Sequence, residues 1–204
     1  ALKFTPRGGR IQLKVETTAR SLLIRVTDNG EGIAGVGWNA MILPVKVLNG
    51  QGTGTVSQVA DGIVWAAGQG AQVINLSLGF NDVSQVLFDA VAYASDQGCV
   101  LVAAAGNNGG PVQYPAAYND YVLAVAATDY NDNVWEGSNA GPEVDVAAPG
   151  VSILTAVPTW FLGSGPLPYS RFDGTSMAAP HVSGFAALLK SFKPWLSVAD
   201  IMNI

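Results

Sequence analysis

Cys99-Val-Leu-Val-Ala-Ala-Ala-Gly106 is an unbroken apolar run with glycine at its end and Gly98 before its start. It falls far short of the roughly 18 apolar residues of a membrane span, and its lack of alternation predicts a strand buried on both faces. The pattern repeats outward from it. Val83, Leu87, Ala90, Val91 and Ala94 keep the spacing of one helix face, with Gly98 at the C-cap. Val73-Ile-Asn-Leu-Ser77 reads as a strand, Val56, Val59, Ile63 and Ala67 as another helix stripe, and 41–48 as a further apolar strand ending at Asn49-Gly50. Downstream, 121–126 and 144–147 read as buried strands and 176–190 as a helix apolar nearly all round. Such alternation predicts an α/β fold, a parallel sheet with helices on both faces.

Composition supports a large core. Residues AVILMFWYC make up 49% and charged residues only 12%, about half the usual ~25% share, which excludes a disordered chain. A net charge of −5, with 10 Lys and Arg among 204 residues, argues against nucleic acid as a partner. The single cysteine, Cys99, excludes an internal disulfide. Ahead of the α/β region, Ile11-Gln-Leu-Lys-Val15 and Leu23-Ile-Arg-Val26 alternate as the strands of an antiparallel hairpin.

The densest chemical signal is Gly174-Thr-Ser-Met-Ala-Ala-Pro-His-Val-Ser-Gly184. Gly174 permits a sharp turn, so Ser176 can open a buried helix where unpaired N–H groups and the helix dipole favour negative charge. Pro180 is expected to be tolerated through its closeness to the helix start. Taken alone, the serine is as well explained as an N-cap.

The whole phrase resembles the nucleophile motif of the subtilisin-like serine peptidases, the subtilases. Gly35-Val-Gly-Trp-Asn-Ala40 followed by Pro44-Val-Lys-Val-Leu48, then Val73-Ile-Asn-Leu-Ser-Leu-Gly79, Val102-Ala-Ala-Ala-Gly-Asn107 and Val144-Asp-Val-Ala-Ala-Pro-Gly150 resemble further segments of that family, in family order. The resemblance covers about residues 27–204 and implies a three-layer fold and peptide-bond hydrolysis through an acyl-enzyme. It implies Ser176 as nucleophile and Asn107 as side-chain donor of the oxyanion hole. It implies that Gly52, Thr53 and Gly54 clamp an extended polypeptide substrate against Ser77, Leu78 and Gly79, while Ala104 and Gly106 wall the pocket for the side chain before the cut. A cis peptide at Tyr114-Pro115 and an extracellular location follow from the same resemblance. No cofactor or metal is expected in the chemistry, and a structural calcium near Asn29 is the one metal expectation.

The family's aspartate strand and histidine helix should precede residue 27, and neither pattern is present. The only histidine, His181, lies five residues after Ser176, which on a helix turns it about 140° away. It is expected to be structural, and the triad is incomplete. Residues 1–33 instead resemble part of the ATP-binding domain of sensor histidine kinases. The resemblance rests on Lys3-Phe-Thr-Pro, Gly8-Gly9 and Asp28-Asn-Gly-Glu-Gly-Ile33, where Asp28 would meet adenine. The two resemblances overlap at 28–33, where the chain is expected to join unrelated coding sequences. Three functions follow: a subtilase catalytic domain, a non-cleaving peptide binder, and a nucleotide-binding module. The first is preferred. ATP is not expected to bind, because the later kinase glycine boxes and lid are absent.

Overall fold

The computed structural model describes residues 2–4, 11–18, 21–28, 33–37, 40–156 and 169–204. Along the chain come β1 (Leu2–Phe4), β2 (Ile11–Thr18), β3 (Ser21–Asp28), β4 (Ile33–Gly35), β5 (Met41–Ile42), α1 (Val56–Gly68), β6 (Val73–Leu76) and α2 (Gln85–Asp96). Then follow β7 (Val100–Ala104), β8 (Val122–Thr128), β9 (Val144–Pro149), β10 (Ile153–Ala156), β11 (Tyr169–Phe172), α3 (Thr175–Phe192) and α4 (Val198–Met202). The central sheet has the order β6-β7-β8-β9, and every pair in it is parallel.

Alternation along β7 decides the layering, because successive side chains of a strand point to opposite faces. Leu101 and Ala103 join Ile63 of α1 and Leu87 and Val91 of α2 in one core. Val100, Val102 and Ala104 join Ala178, Ala179 and Ala186 of α3 and Ile201 of α4 in the other. The result is the expected three-layer α/β fold, with β7 and β8 buried along their whole length. Each fully buried Leu or Val contributes about 1.5–3 kcal/mol relative to exposure.

Local sequence starts the helices. Thr55 accepts from Gln58 N at 3.2 Å while Gln58 Oε1 accepts from Thr55 N at 2.9 Å, a reciprocal capping box for α1. Ser197 and Asp200 make the same arrangement at α4. Ser84 caps α2, which leaves Val83 outside the helix and 70% exposed rather than in its apolar stripe.

The front of the chain is antiparallel. β2 and β3 form the expected hairpin, in register from Ile11↔Asp28 to Thr18↔Ser21, and β1 pairs with β4. The apolar run 41–48, expected to be one strand, contributes only β5, which lies antiparallel on β3. Pro44 explains the early end, since it has no N–H to give a ladder. Two further expectations are corrected. Residues within β9 alternate between partly buried and exposed, as an outer strand allows, rather than being buried throughout. α3 is apolar nearly all round in sequence, yet Phe185 is 50% and Phe192 78% exposed.

Candidate active site

The loops that leave the C-terminal ends of β6 and β7 meet the start of α3. Gly174 is the N-cap of that helix, at φ +149°, a conformation that favours glycine. Its N–H donates to Gly150 O at 2.8 Å. A Cβ on Gly150 would stand 2.8 Å from Gly174 O and 2.6 Å from Ala127 Cβ, so the stretch after β9 needs glycine to hold the helix start this closely. Ser176 is therefore the second helical residue and not the N-cap that a reading of the serine alone allows. Its N–H lies in the first turn, where amides have no intrahelical acceptor.

The Ser176 hydroxyl lies 3.4 Å from Ser77 O, to which it donates. Ser176 itself is half-buried. One residue earlier, Thr175 is fully buried, and both its N–H and its Oγ1 lie 2.8 Å from Asn107 Oδ1. Since the Thr175 N–H can only donate, the facing Asn107 atom is its oxygen. The amide orientation is thereby set, and Nδ2 is left as the donor on the other side. Asn107 is exposed and lies beside Gly174.

The loop that carries Asn107 is wound around Asn139, a fully buried residue. Its Oδ1 accepts from Asn108 N at 2.9 Å and Gly110 N at 3.1 Å, its Nδ2 donates to Pro111 O at 2.6 Å, and its backbone N–H donates to Gly106 O at 2.9 Å. Gly106 N in turn donates to Thr175 Oγ1 at 3.2 Å. Opposite, Phe80 and Tyr114 exchange backbone hydrogen bonds at 2.7 and 2.9 Å, and Gln113 N donates to Ala105 O at 2.9 Å. The Gln113 side chain lies between Gly79 and Gly106, since a Cβ on either would come within 2.8 Å of its Oε1. Its Nε2 donates to Asn81 Oδ1 at 2.7 Å. The Tyr114-Pro115 peptide is cis, as expected.

Ser77, Gly79, Gly106, Asn107 and Ser176 thus fall into one hydrogen-bonded and packed cluster. Two expected members sit deeper. Leu78 packs against the α1–α2 core, and Ala104 is 4% exposed in the core beneath α3. Gly52, Thr53 and Gly54 occupy a separate turn at the start of α1, tied by Thr53 O to Asn49 N at 2.8 Å and by Asn49 Oδ1 to the amides of Gln51 and Thr53. Thr175, Asn139 and Gln113 were not singled out in sequence. Thr175 lay inside the quoted serine phrase, whereas nothing local marks the other two.

His181 faces its own helix. Its Nδ1 lies 2.9 Å from Met177 O, one turn back, and burial pushes its imidazole below the ordinary value. Pro180 is the sixth helical residue, past the first turn, so its missing N–H does remove a helix bond, one that would have ended on Ser176 O. That carbonyl accepts instead from the Ser77 hydroxyl at 3.0 Å. Asn29, the expected calcium position, and the glycines at 30 and 32 lie outside the described residues. Among the described residues, no group of three His, Cys, Asp or Glu could hold a metal ion, and no helix is long and apolar enough to cross a membrane.

Comparison with known proteins places this arrangement. The profile of the subtilase family, Peptidase S8, matches residues 21–204. Thermitase of Thermoactinomyces vulgaris is 48% identical over 176 residues, 86% of this chain and 60% of that protein. A thermophilic serine proteinase of Bacillus sp. (strain AK1) is 47% identical over 165 residues, 81% of this chain and 39% of that protein. Among solved structures, a protease of Pseudoalteromonas arctica PAMC 21717 superposes with a TM-score of 0.78 at 36% identity, covering 88% of this chain and 59% of that one. A cold-adapted subtilisin-like serine proteinase gives 0.75 at 34% identity, covering 87% and 62%. The chain spans about two fifths to three fifths of the length of these proteins. With a parallel three-layer core, a helix opening at Gly174-Thr-Ser and a family match over nine tenths of its length, the chain belongs to the subtilase family of serine peptidases.

Proposed function

We propose that this chain is the nucleophile-bearing part of a serine endopeptidase that hydrolyses peptide bonds through an acyl-enzyme on Ser176. The reading rests above all on Thr175, whose two donors fix the Asn107 carbonyl and so turn Nδ2 outward beside the start of α3. A substrate carbonyl attacked by Ser176 Oγ would develop its oxyanion between that Nδ2 and the Ser176 N–H, where two donors and the helix dipole favour charge. The attacking hydroxyl must lose its proton as the C–O bond forms, and a general base must return it to the leaving amine. Water then repeats the sequence on the ester. The polypeptide would lie extended between 52–54 and 77–79 as an added strand. An extracellular location belongs to the same reading.

Among the described residues no base stands beside Ser176, and the one imidazole of the sequence is bonded to Met177 O within α3. That favours a second reading for the isolated chain, a peptide binder that does not cut. Fluorophosphonate labelling followed by peptide mapping separates the two. No label on Ser176 and no hydrolysis of peptide anilides is the expected result for the chain alone, and stoichiometric labelling of Ser176 would overturn the claim of an incomplete triad. Joined to a family front end, the same serine should label and cleave. If it does neither while folded, the peptidase reading fails.

A further inference from the structure

Three polar side chains, on α3, on β6 and on the loop after it, form a hydrogen-bond relay that ends on the nucleophile's own carbonyl. Ser183 Oγ donates to Asn75 Oδ1 at 2.8 Å, Asn75 Nδ2 donates to Ser77 Oγ at 2.9 Å, and Ser77 Oγ donates to Ser176 O at 3.0 Å. Ser176 Oγ closes the circuit by donating to Ser77 O at 3.4 Å. The Ser183 proton is shared with Ala179 O at 3.1 Å, and the direction is set from the other end: the Ser77 proton spent on Ser176 O leaves Ser77 Oγ to accept from Asn75 Nδ2. Its endpoint is the carbonyl that Pro180 deprives of a helix partner. Without the Ser77 donor that half-exposed carbonyl would be left to solvent, and the turn that carries Ser176 would lose this fixed tie to the loop after β6. Asn75 and Ser183 have no other place in the site described above.

We propose that Ser77 is a positioning residue for Ser176: its hydroxyl replaces the helix hydrogen bond that Pro180 removes, and Asn75 with Ser183 holds that hydroxyl in the donating orientation. The proposal rests on Ser176 as the functional serine, and it makes Pro180 and Ser77 one device. The proline frees the Ser176 carbonyl from its own helix, and the serine ties it to the loop after β6. The nucleophile is thereby registered against the strand ends that would carry substrate and not only against α3.

The test is a double-mutant cycle on the full chain with Ser176→Cys as reporter. The rate at which iodoacetamide alkylates the introduced thiol is read by peptide mapping, which keeps it apart from Cys99, a buried thiol pushed upward by burial. Ser77→Ala should slow alkylation about threefold to fivefold, the size of a helix N-terminal charge effect, because a loosened first turn stabilises the thiolate less. Ser77→Thr should restore the rate. In a Pro180→Ala background, where an N–H again reaches the carbonyl of residue 176, Ser77→Ala should change nothing. An unchanged rate in Ser77→Ala, or a slowing that persists with Pro180→Ala, overturns the proposal. If Ser77→Ala does not fold, Asn75→Ala carries the same cycle, with a smaller slowing that must also vanish in the Pro180→Ala background. Because thiol alkylation needs no general base, a negative cycle leaves the peptidase reading standing, and a failed peptidase assay leaves the cycle readable.

Discussion

Residues 73–204 are built on a parallel sheet, with one antiparallel pair, β10 and β11, outside it, whereas the strands of residues 2–42 pair only antiparallel. In the later region, β6 to β9 run parallel, so their loops gather at one end, and there Asn107, Thr175, Asn139 and Ser77 are fixed by side-chain hydrogen bonds across 28 to 99 residues of sequence. In the earlier region β2, β3 and β5 form an antiparallel sheet, and β1 pairs antiparallel with β4. The later region holds the groups proposed to stabilise negative charge, whereas a base that moves a proton has no counterpart among the described residues beside Ser176. On that reading, the difference teaches that charge stabilisation and proton transfer are carried by separate parts of a peptidase fold.

The sharpest way to break the comparison is to supply the missing half. Replacing residues 1–26 with the front end of a subtilase relative, carrying its aspartate strand and histidine helix, should raise peptide-anilide turnover by about 10⁶, the size of the loss on removing the histidine from subtilisin. Starting from a typical ~10 s⁻¹, the unaltered chain would turn over at roughly 10⁻⁵ s⁻¹, below detection. The restored enzyme should be blocked by phenylmethylsulfonyl fluoride and abolished by Ser176→Ala. Equal cleavage with and without the serine would remove the nucleophile assignment and the division between the two regions together.

The next effect tests whether charge stabilisation is already complete in residues 73–204. In the restored enzyme, Asn107→Ala should lower kcat about 10²–10³-fold with little change in KM, a magnitude taken from the same loss in subtilisin. A rise in KM at constant kcat would make Asn107 a substrate-binding residue instead.

How much of this was readable beforehand follows from distance along the chain. β7 and β8 are legible because burial on both faces forces a continuous apolar run, which Gly98 and Gly106 bracket at β7 and Asp120 and Asp129 bracket at β8. The start of α3 is legible because Gly174 must adopt a conformation that favours glycine. The short β5 follows from Pro44, whose missing N–H ends the ladder although the apolar run continues to Leu48. Asn139 and Gln113 were not readable: each acts on backbone or glycine more than 25 residues away, and nothing in their neighbours' sequence encodes that partner. Ser77 was singled out for substrate, and its bond to Ser176 O needed the helix frame that makes Pro180 costly.

Thr175 offers a smaller and more local test. Thr175→Val keeps the N–H that fixes Asn107 Oδ1 and removes both the Oγ1 contact to the same oxygen, at 2.8 Å in the parent, and the acceptor of the Gly106 N–H at 3.2 Å, a loss that weighs on stability. One such hydrogen bond is worth about 0.5–1.5 kcal/mol, so kcat in the restored enzyme should fall roughly threefold to tenfold, well short of the Asn107→Ala loss. A fall as large as that of Asn107→Ala would mean that the N–H alone cannot hold the amide, and that its orientation depends on both donors.

The smallest effect concerns His181 and is read in stability rather than rate. Burial lowers its folded-state value below the ordinary 6.5, with the Nδ1 bond to Met177 O acting in the opposite direction. A base with a depressed folded value is neutral in the fold while the unfolded chain still takes up the proton. In the window from 6.5 downward to the folded value the unfolded state therefore binds more protons, and stability must rise with pH. Its contribution is fully present above pH 6.5 and is lost as pH falls through the folded value. Asp145 works in the opposite direction at lower pH, since burial raises its carboxyl above 3.8 despite the Ala124 N–H it accepts at 2.7 Å. The two groups separate by substitution: His181→Gln should flatten the rise between pH 5 and 7 in urea denaturation midpoints and leave the slope near pH 4 untouched. His181 is partly exposed, so the effect is a change of slope and not a loss of fold. A midpoint that falls with pH between 5 and 7 in the parent chain, and ceases to do so in His181→Gln, would mean that the imidazole is held charged. It would then be facing a carboxylate rather than its own helix, and the one histidine of this chain would return as a candidate for chemistry.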